Sequence, residues 1–149
     1  MLSSERIKDY LCKELQGIEI NIFDEVTSTN TLLKEQGKTK SEFYTVIASS
    51  QTGGRGRLGR SFYSPERSGV YFSVLLKPQL EIHKAILITT AAAVAVTRTL
   101  EILGCENSKI KWVNDIFVNN KKVCGILTES VINTETKKID FAVLGVGIN

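Results

Sequence analysis

Alternating apolar and polar positions along most of the chain predict short strands, interrupted irregularly by helices. The strand segments are residues 18–23, 44–49, 69–77, 109–113, 115–118, 122–132 and 139–148. Asn119–Asn120 and the polar stretch 133–138 supply short turns between the last three segments. We therefore expect an α+β fold with a mixed, largely antiparallel sheet and helices packed on one face.

Three segments have helical spacing of their apolar residues. The first follows Ser4 and ends near Gly17, the second runs from Ser28 or Thr29 to Gly37, and the third, about 20 residues long, covers 82–103. Strong helix formers and an apolar face make the third a long buried helix.

The composition fits one cytoplasmic domain. The chain has 149 residues, 42% of them hydrophobic, and a net charge of +3, which suits a single core. Three cysteines without a Cys-x-x-Cys pair argue against disulfides and zinc. The N-terminus lacks a signal peptide, and the most apolar run, 85–97, is shorter than the ~20 residues of a membrane span, so we expect no membrane.

One loop concentrates positive charge on a pliable backbone. Residues 51–60, QTGGRGRLGR, hold four glycines and three arginines directly after a predicted strand. A solvated surface loop is the commoner origin of such a run, and a nucleic-acid patch is a second alternative. Charge confined to six residues instead predicts a cradle for a small anion, with glycine amides and guanidinium groups facing it.

That loop and four other segments carry a resemblance. Residues 54–60, GRGRLGR, resemble the signature loop of biotin protein ligases. STN at 28–30, KWVND at 111–115, KKVCGIL at 121–127 and GVGIN at 145–149 resemble further motifs of that family, in the same order. The resemblance implies the biotin ligase catalytic fold, which is related to class II aminoacyl-tRNA synthetases, over residues 1–149. The end of that catalytic domain and its following β-barrel domain are expected to be absent.

The resemblance implies ATP-dependent attachment of biotin to one lysine of a biotin carboxyl carrier protein, through biotinyl-5'-AMP. It brings ATP and biotin as ligands, with Mg²⁺ held through the ATP phosphates. The implied catalytic residues are Arg57, Lys122, Lys111 and Asp115. The implied binding residues are Ser28, Thr29, Asn30, Gln51, Gly54, Arg55, Gly56, Arg57, Arg60, Trp112, Asn114, Lys122, Gly125, Leu127 and Asn149.

Each assignment has a structural alternative. Ser28 and Thr29 suit a helix cap, Lys122 a solvated hairpin charge, and Trp112 a core position. His83, the only histidine, is expected at the surface. The chain departs from the family pattern at Val113, where proline is usual, and at Phe62, where tryptophan is frequent.

Other functions remain open at this point. A lipoate or octanoate ligase or transferase has a related architecture, and a biotin-binding module without catalysis is a second alternative. No nucleic-acid partner is expected, because residues 1–27 are too short for the winged helix of many bacterial members. A homodimer through a sheet edge is expected from the family, with 143–148 as an open final strand.

Overall fold

Seven strands form one mixed sheet in the computed structural model, which describes residues 2–149. They are β1 (Ile20–Val26), β2 (Thr45–Gln51), β3 (Val70–Leu76), β4 (Ser108–Lys111), β5 (Asp115–Val118), β6 (Lys121–Asn133) and β7 (Lys138–Ile148). Their order across the sheet is β1-β2-β3-β7-β6-β5-β4. β1 and β2 are parallel and every other pair is antiparallel, which confirms the mixed, largely antiparallel sheet.

The structure has the three predicted helices, but the first and the third are shorter than the pattern predicted. They are α1 (Ser4–Lys8), α2 (Thr29–Gln36) and α3 (Ile86–Ile102), with 3₁₀ turns at Lys13–Leu15, Arg57–Gly59 and Ile82–Lys84. The continuous first helix is wrong, since α1 ends at Lys8 and buries no residue. Helices of this length are stable mainly through packing against the rest of the protein, and α1 has no buried face that would favour a longer helix.

α2 and α3 lie on opposite faces of the sheet, which corrects the expectation of helices on one face. On β7, Phe141 and Val143 belong to the core cluster of Leu33 in α2, whereas Val146 belongs to that of Ala93 in α3. Successive strand side chains point to opposite faces, so the two clusters are on opposite sides. We call these sides the α2 face and the α3 face.

The sheet edges also differ from expectation. β7 lies between β3 and β6 and pairs with both, so residues 143–148 are not an open final strand. β1 and β4 form the two edges. The sequence places β7 last along the chain, but position in the sheet is decided by pairing and cannot be read from chain order.

Glycines mark two helix ends for different reasons. Gly104 follows α3 with φ +86 and is a left-handed cap, a conformation that glycine adopts readily. Gly37 follows α2 with φ −58, so it is not a left-handed cap. A Cβ at Gly37 would lie 2.3 Å from the Phe141 ring, and close packing is what demands glycine there.

Helix α3 carries apolar residues on its exposed side as well as on the side that packs against the sheet. Residues Ile82–Ile102 have the length and composition of a helix that crosses a membrane, which exceeds the short apolar run read from the sequence. The expectation of a long buried helix is wrong, because Thr89, Ala92 and Ala93 are the only buried residues of α3, whereas Ile86, Leu87 and Ile102 are exposed. In this fold, Ala92 and Ala93 pack with Ile116, Cys124 and Ile126 of the sheet.

Candidate functional site

A cavity of about 230 Å³ opens on the sheet where the glycine-arginine loop covers β6 and β7. Its walls come from the start of α2, the end of β2, that loop, and strands β5 to β7. The lining residues are Ser28, Thr29, Asn30, Gln51, Arg55, Gly56, Arg57, Leu58, Arg60, Ser61, Phe62, Asn114, Asp115, Lys122, Gly125, Ile126, Leu127, Gly145, Val146 and Gly147. Segments far apart in sequence therefore meet in one place.

The loop has an ordered base and an exposed tip. Gly54 O accepts from Phe62 N at 2.8 Å, and Arg60 O accepts from Gly56 N at 2.7 Å. The backbones of Arg55 and Ser61 form an antiparallel β-bridge. At the tip Leu58 has φ 56 and is 90% exposed. The backbone thus carries Arg55, Arg57 and Arg60 around a single narrow turn.

Four cations line the cavity: Arg55, Arg57, Arg60 and Lys122. Arg57 Nη1 donates to Asn114 Oδ1 at 2.9 Å, and Lys122 Nζ lies 2.9 Å from Asp115 Oδ1. Asp115 is the one carboxylate among these lining residues. Excess positive charge in a partly enclosed site favours an anionic ligand.

Hydroxyl and amide groups hold the opposite wall. Gln51 Oε1 accepts from Thr29 N at 2.9 Å and from Thr29 Oγ1 at 3.2 Å, while Gln51 Nε2 donates to Ser64 Oγ at 2.8 Å. Ser28 caps α2 by accepting from Thr31 N at 3.5 Å. Ser28 and Thr29 also line the cavity, so the helix cap is compatible with a binding role, which stays a prediction.

Glycines clear the floor for an aromatic ring. A Cβ at Gly147 would lie 2.3 Å from the Phe62 ring, and one at Gly125 would lie 2.8 Å from it. The two glycines are direct partners across β6 and β7. Two residues before Gly147, on the same face of β7, a Cβ at Gly145 would lie 2.0 Å from Asn30 Oδ1. Side chains at these positions would exclude Phe62 and Asn30 from the sheet.

Four of the predicted site residues do not line the cavity. Lys111 lies 5.5 Å above the Phe117 ring, and Trp112 is 74% exposed. Asn149 accepts from the Tyr71 hydroxyl at 2.9 Å and donates to Tyr63 O at 3.1 Å. Gly54 supports the loop base, where a Cβ would lie 2.3 Å from Phe62 O.

Several lining residues were not predicted as site residues. They are Leu58, Ser61, Phe62, Ile126, Gly145, Val146 and Gly147. Phe62 and the glycines had a signal, since Gly-Val-Gly in an apolar strand predicts a close approach by another group. Ser61 had none, because its place depends on the loop's fold.

The described residues offer no resident metal site. No group of three or more His, Cys, Asp and Glu side chains among residues 2–149 could hold an ion. Asp115 is already engaged by Lys122 and by Asn114 Nδ2 at 3.0 Å. His83 lies outside, 70% exposed and 3.5 Å from Glu81.

A second cavity of about 200 Å³ adjoins the first and shares Arg57, Ile126 and Leu127 with it. Ala85, Ile86, Thr89, Val113, Thr128 and Ser130 complete its lining. The peptide bond between Trp112 and Val113 is cis. Arg57 lines both cavities and so lies at their junction.

The fold and site together define a class: a mixed-sheet protein with a cation-lined cavity between a glycine-arginine loop and a glycine-containing strand pair. A model of the Biotin/lipoate A/B protein ligase family matches residues 22–149. The chain belongs to that family.

Individual relatives and solved structures to which the chain is similar are consistent with this family. The chain is 36% identical over 149 residues to the bifunctional ligase/repressor BirA of Bacillus spizizenii, covering 99% of this chain and 45% of the relative. The biotin protein ligase of Aquifex aeolicus in complex with biotin and ATP has a TM-score of 0.69 and 34% identity, covering 88% of this chain and 52% of that one. That of Leishmania major in complex with biotin gives 0.70 and 28%, covering 89% and 56%. The chain thus spans about half the length of these relatives.

Proposed function

We propose that this chain carries the substrate-activating site of an ATP-dependent ligase that joins biotin to a lysine of a biotin carboxyl carrier protein, through biotinyl-5'-AMP. One observation carries the proposal: Arg57 and Lys122 share one cavity with the polar wall of Thr29 and Gln51. A ligand with a polar head and a carboxylate tail matches that arrangement. Residues 1–149 would form the corresponding part of the catalytic domain, in the cytoplasm.

The chemistry requires cations more than acid–base groups. In the first step a biotin carboxylate oxygen forms a bond to the α-phosphorus of ATP, and the bond to the departing pyrophosphate breaks. Two anionic groups must approach each other, so charge stabilisation and positioning lower the barrier most. Mg²⁺ would arrive with ATP as part of the substrate.

Lys122 and Arg57 would hold the reacting groups. Lys122 Nζ, fixed 2.9 Å from Asp115 Oδ1, would donate to the biotin carboxylate and the α-phosphate. Arg57 would clamp the phosphate from the loop, since a guanidinium offers two parallel donors. Asn114 orients Arg57 at 2.9 Å, and Arg60 and the Gly56 backbone would complete the loop's contribution.

The polar wall would bind the head of biotin. A ureido group needs donors and an acceptor, and Ser28, Thr29 and Gln51 offer both. Phe62, Gly125 and Leu127 would give the apolar ring a close wall. Because Gln51 is tied to Thr29 and Ser64, its amide is already oriented before a ligand arrives.

In the second step, the carrier lysine amine attacks the acyl carbon of the adenylate and AMP departs. Asp115 is the lining carboxylate that would attract that amine. Lys111, Trp112 and Asn149 lie outside the cavity, so their proposed roles toward ATP, including adenine stacking on Trp112, require contacts made when the nucleotide binds. A homodimer through the edges β1 or β4 is proposed from the family only.

The test is ligand binding followed by chemistry. Thermal unfolding with excess biotin, lipoate or biotinyl-5'-AMP should give a rise of several degrees for biotin and a larger one for the adenylate, because a ligand at 100 times its Kd stabilises by about 2.7 kcal/mol. Pyrophosphate release should then require biotin and ATP together. A rise with lipoate alone would assign the chain to the lipoate branch, and biotin binding without pyrophosphate release would leave a binding module.

A further inference from the structure

A largely buried carboxylate lies behind the cavity and belongs to none of the motifs described above. Glu129 projects from β6 on the α2 face, and its side chain is 13% exposed. Its Oε2 accepts from Asn30 Nδ2 at 3.1 Å. Its Oε1 lies 3.3 Å from Lys34 Nζ and 3.4 Å from Arg55 Nη1. One side chain therefore contacts α2 twice and the glycine-arginine loop once.

The hydrogen bond between Glu129 and Asn30 of α2 belongs to a network in which the Asn30 amide has all its partners. Asn30 is 4% exposed, and its amide donates to Leu127 O at 3.2 Å as well as to Glu129. Its Oδ1 accepts from Ser73 Oγ at 2.6 Å. Every polar atom of the Asn30 amide therefore has a partner, which holds Glu129 in one orientation.

The contact with the loop reaches its base. Arg55 bridges Ser61 through its backbone and lines the cavity. Its neighbours Gly54 and Gly56 accept and donate the hydrogen bonds that close the loop. A charge pair from Arg55 to the rigid sheet thus fixes the side of the loop that faces a ligand.

A carboxylate here opposes the site's own charge. Negative charge next to a cationic cavity weakens the attraction for an anion, and burying it costs free energy unless it is paired. A carboxylate at this position therefore needs a compensating benefit. Its ion pair with Arg55, which holds the base of the glycine-arginine loop, provides one.

We propose that Glu129 is a positioning residue that preorders the glycine-arginine loop through Arg55. Arg55 is then chiefly an anchor of the loop base, while Arg57 and Arg60 at the tip face the ligand. The proposal refines the roles given above and rests on the proposed function only where ligand binding is measured.

Trypsin tests the loop without any ligand. In Glu129→Gln the acceptor for Asn30 remains but the charge is lost, and cleavage after Arg57 and Arg60 should become roughly fivefold faster, because proteolysis follows the population of the opened loop. Arg55→Gln should give the same acceleration at those two bonds, and the double variant should add nothing. Fragments are followed by mass spectrometry.

Lys34→Gln is the matched control, because it removes a cation from the same carboxylate without touching the loop. Its cleavage after Arg57 and Arg60 should equal that of the parent. The proposal is overturned by unchanged cleavage in Glu129→Gln, by effects that multiply in the double variant, or by equal acceleration after Lys109 in β4, which would indicate general destabilisation.

Ligand release gives the second readout. Biotinyl-5'-AMP should dissociate several-fold faster from Glu129→Gln than from the parent, and Glu129→Gln should have no further effect in the Arg55→Gln background. Equal release rates in Glu129→Gln and the parent would contradict the positioning role. If the parent binds neither biotin nor the adenylate, the proposed function fails, and the trypsin experiment alone decides the role of Glu129.

Discussion

The two faces of strands β6 and β7 use the same backbone for opposite purposes. On the α3 face, Cys124, Ile126 and Val146 pack against Ala92 and Ala93 in a closed apolar cluster. On the α2 face, the neighbouring positions are Gly125, Leu127, Glu129, Gly145 and Gly147, which lie under a ring, a polar network and the cavity. Alternation along a strand separates the two by one residue.

The comparison shows that the α3 face contributes mainly to stability and that the α2 face forms the candidate site. The α3 face removes apolar surface from water, which stabilises in proportion to area. The α2 face gives up side-chain volume at three glycines to admit Phe62 and Asn30. Changes one residue apart should therefore affect different properties, and the predictions below test that separation.

The largest effect is expected for Arg57→Ala. Loss of the guanidinium at the junction of the two cavities should weaken retention of biotinyl-5'-AMP by about 10²- to 10³-fold, the range for removing one charge-stabilising donor. Thermal stability without ligand should change little, because Arg57 lies on an exposed loop. Arg67→Ala is the control, since Arg67 is 89% exposed and pairs with Glu66. Unchanged adenylate release from Arg57→Ala would remove Arg57 from the site.

A pair of substitutions tests the two faces directly. Ile116→Ala, on the α3 face, should lower the free energy of unfolding by about 2–5 kcal/mol, because it leaves a cavity in a fully buried position. Biotin affinity of the folded fraction should stay within twofold. Gly147→Ala should cost about 1–3 kcal/mol from overpacking, and it should also displace Phe62 and weaken biotin binding.

Gly17→Ala controls for the added methyl group, since a Cβ there meets nothing within 4 Å. Urea unfolding and biotin titration of all three variants separate the two properties. A strong loss of biotin affinity in Ile116→Ala, at matched folded fraction, would show that the faces are not independent.

The separation of faces also explains what the sequence revealed and what it concealed. Strand periodicity located all seven strands, and the Asn119–Asn120 turn, with φ 49 and 62, was legible because few residues tolerate such backbone angles. The choice of face for each helix was not legible, since strands buried on both sides read as continuous apolar runs.

The site was predicted where the backbone itself makes the contact. Gly56 and Gly125 line the cavity, whereas Gly54 lies at the base of the loop. Lys111 and Trp112 do not line the cavity, since Lys111 lies over the Phe117 ring and Trp112 is exposed. A motif gives positions along the chain but not the direction of each side chain. Glu129 had no sequence signal, because its partners Asn30 and Arg55 are far away along the chain.

A smaller effect is expected from pH, and it arises on the α3 face. Burial raises the pKa of the Cys124 thiol to about 12, from an ordinary value of 9.0. The unfolded chain therefore loses this proton before the folded chain does, so the stabilisation is full below pH 9 and declines as pH rises towards 12. Between pH 9 and 11, the free energy of unfolding should fall more steeply in the parent than in Cys124→Ala, by at most about 1.4 kcal/mol per pH unit.

Cys12→Ala serves as the control, because Cys12 is exposed, and its pH slope should match that of the parent. Alkylation at pH 8 should label Cys12 readily and Cys124 only on unfolding. Rapid labelling of Cys124 in the native chain would show that the α3 face opens more easily than its packing indicates.

The smallest effect is a spectral one at Trp112, the only tryptophan. Because its side chain is 74% exposed, its fluorescence should be red-shifted and readily quenched by acrylamide without ligand. Biotin alone should leave quenching unchanged, because Trp112 lies outside the cavity. Biotinyl-5'-AMP should reduce quenching if the adenine stacks on Trp112 when it binds, whereas equal quenching with and without the adenylate would confine nucleotide recognition to residues on the α2 face and in the loop.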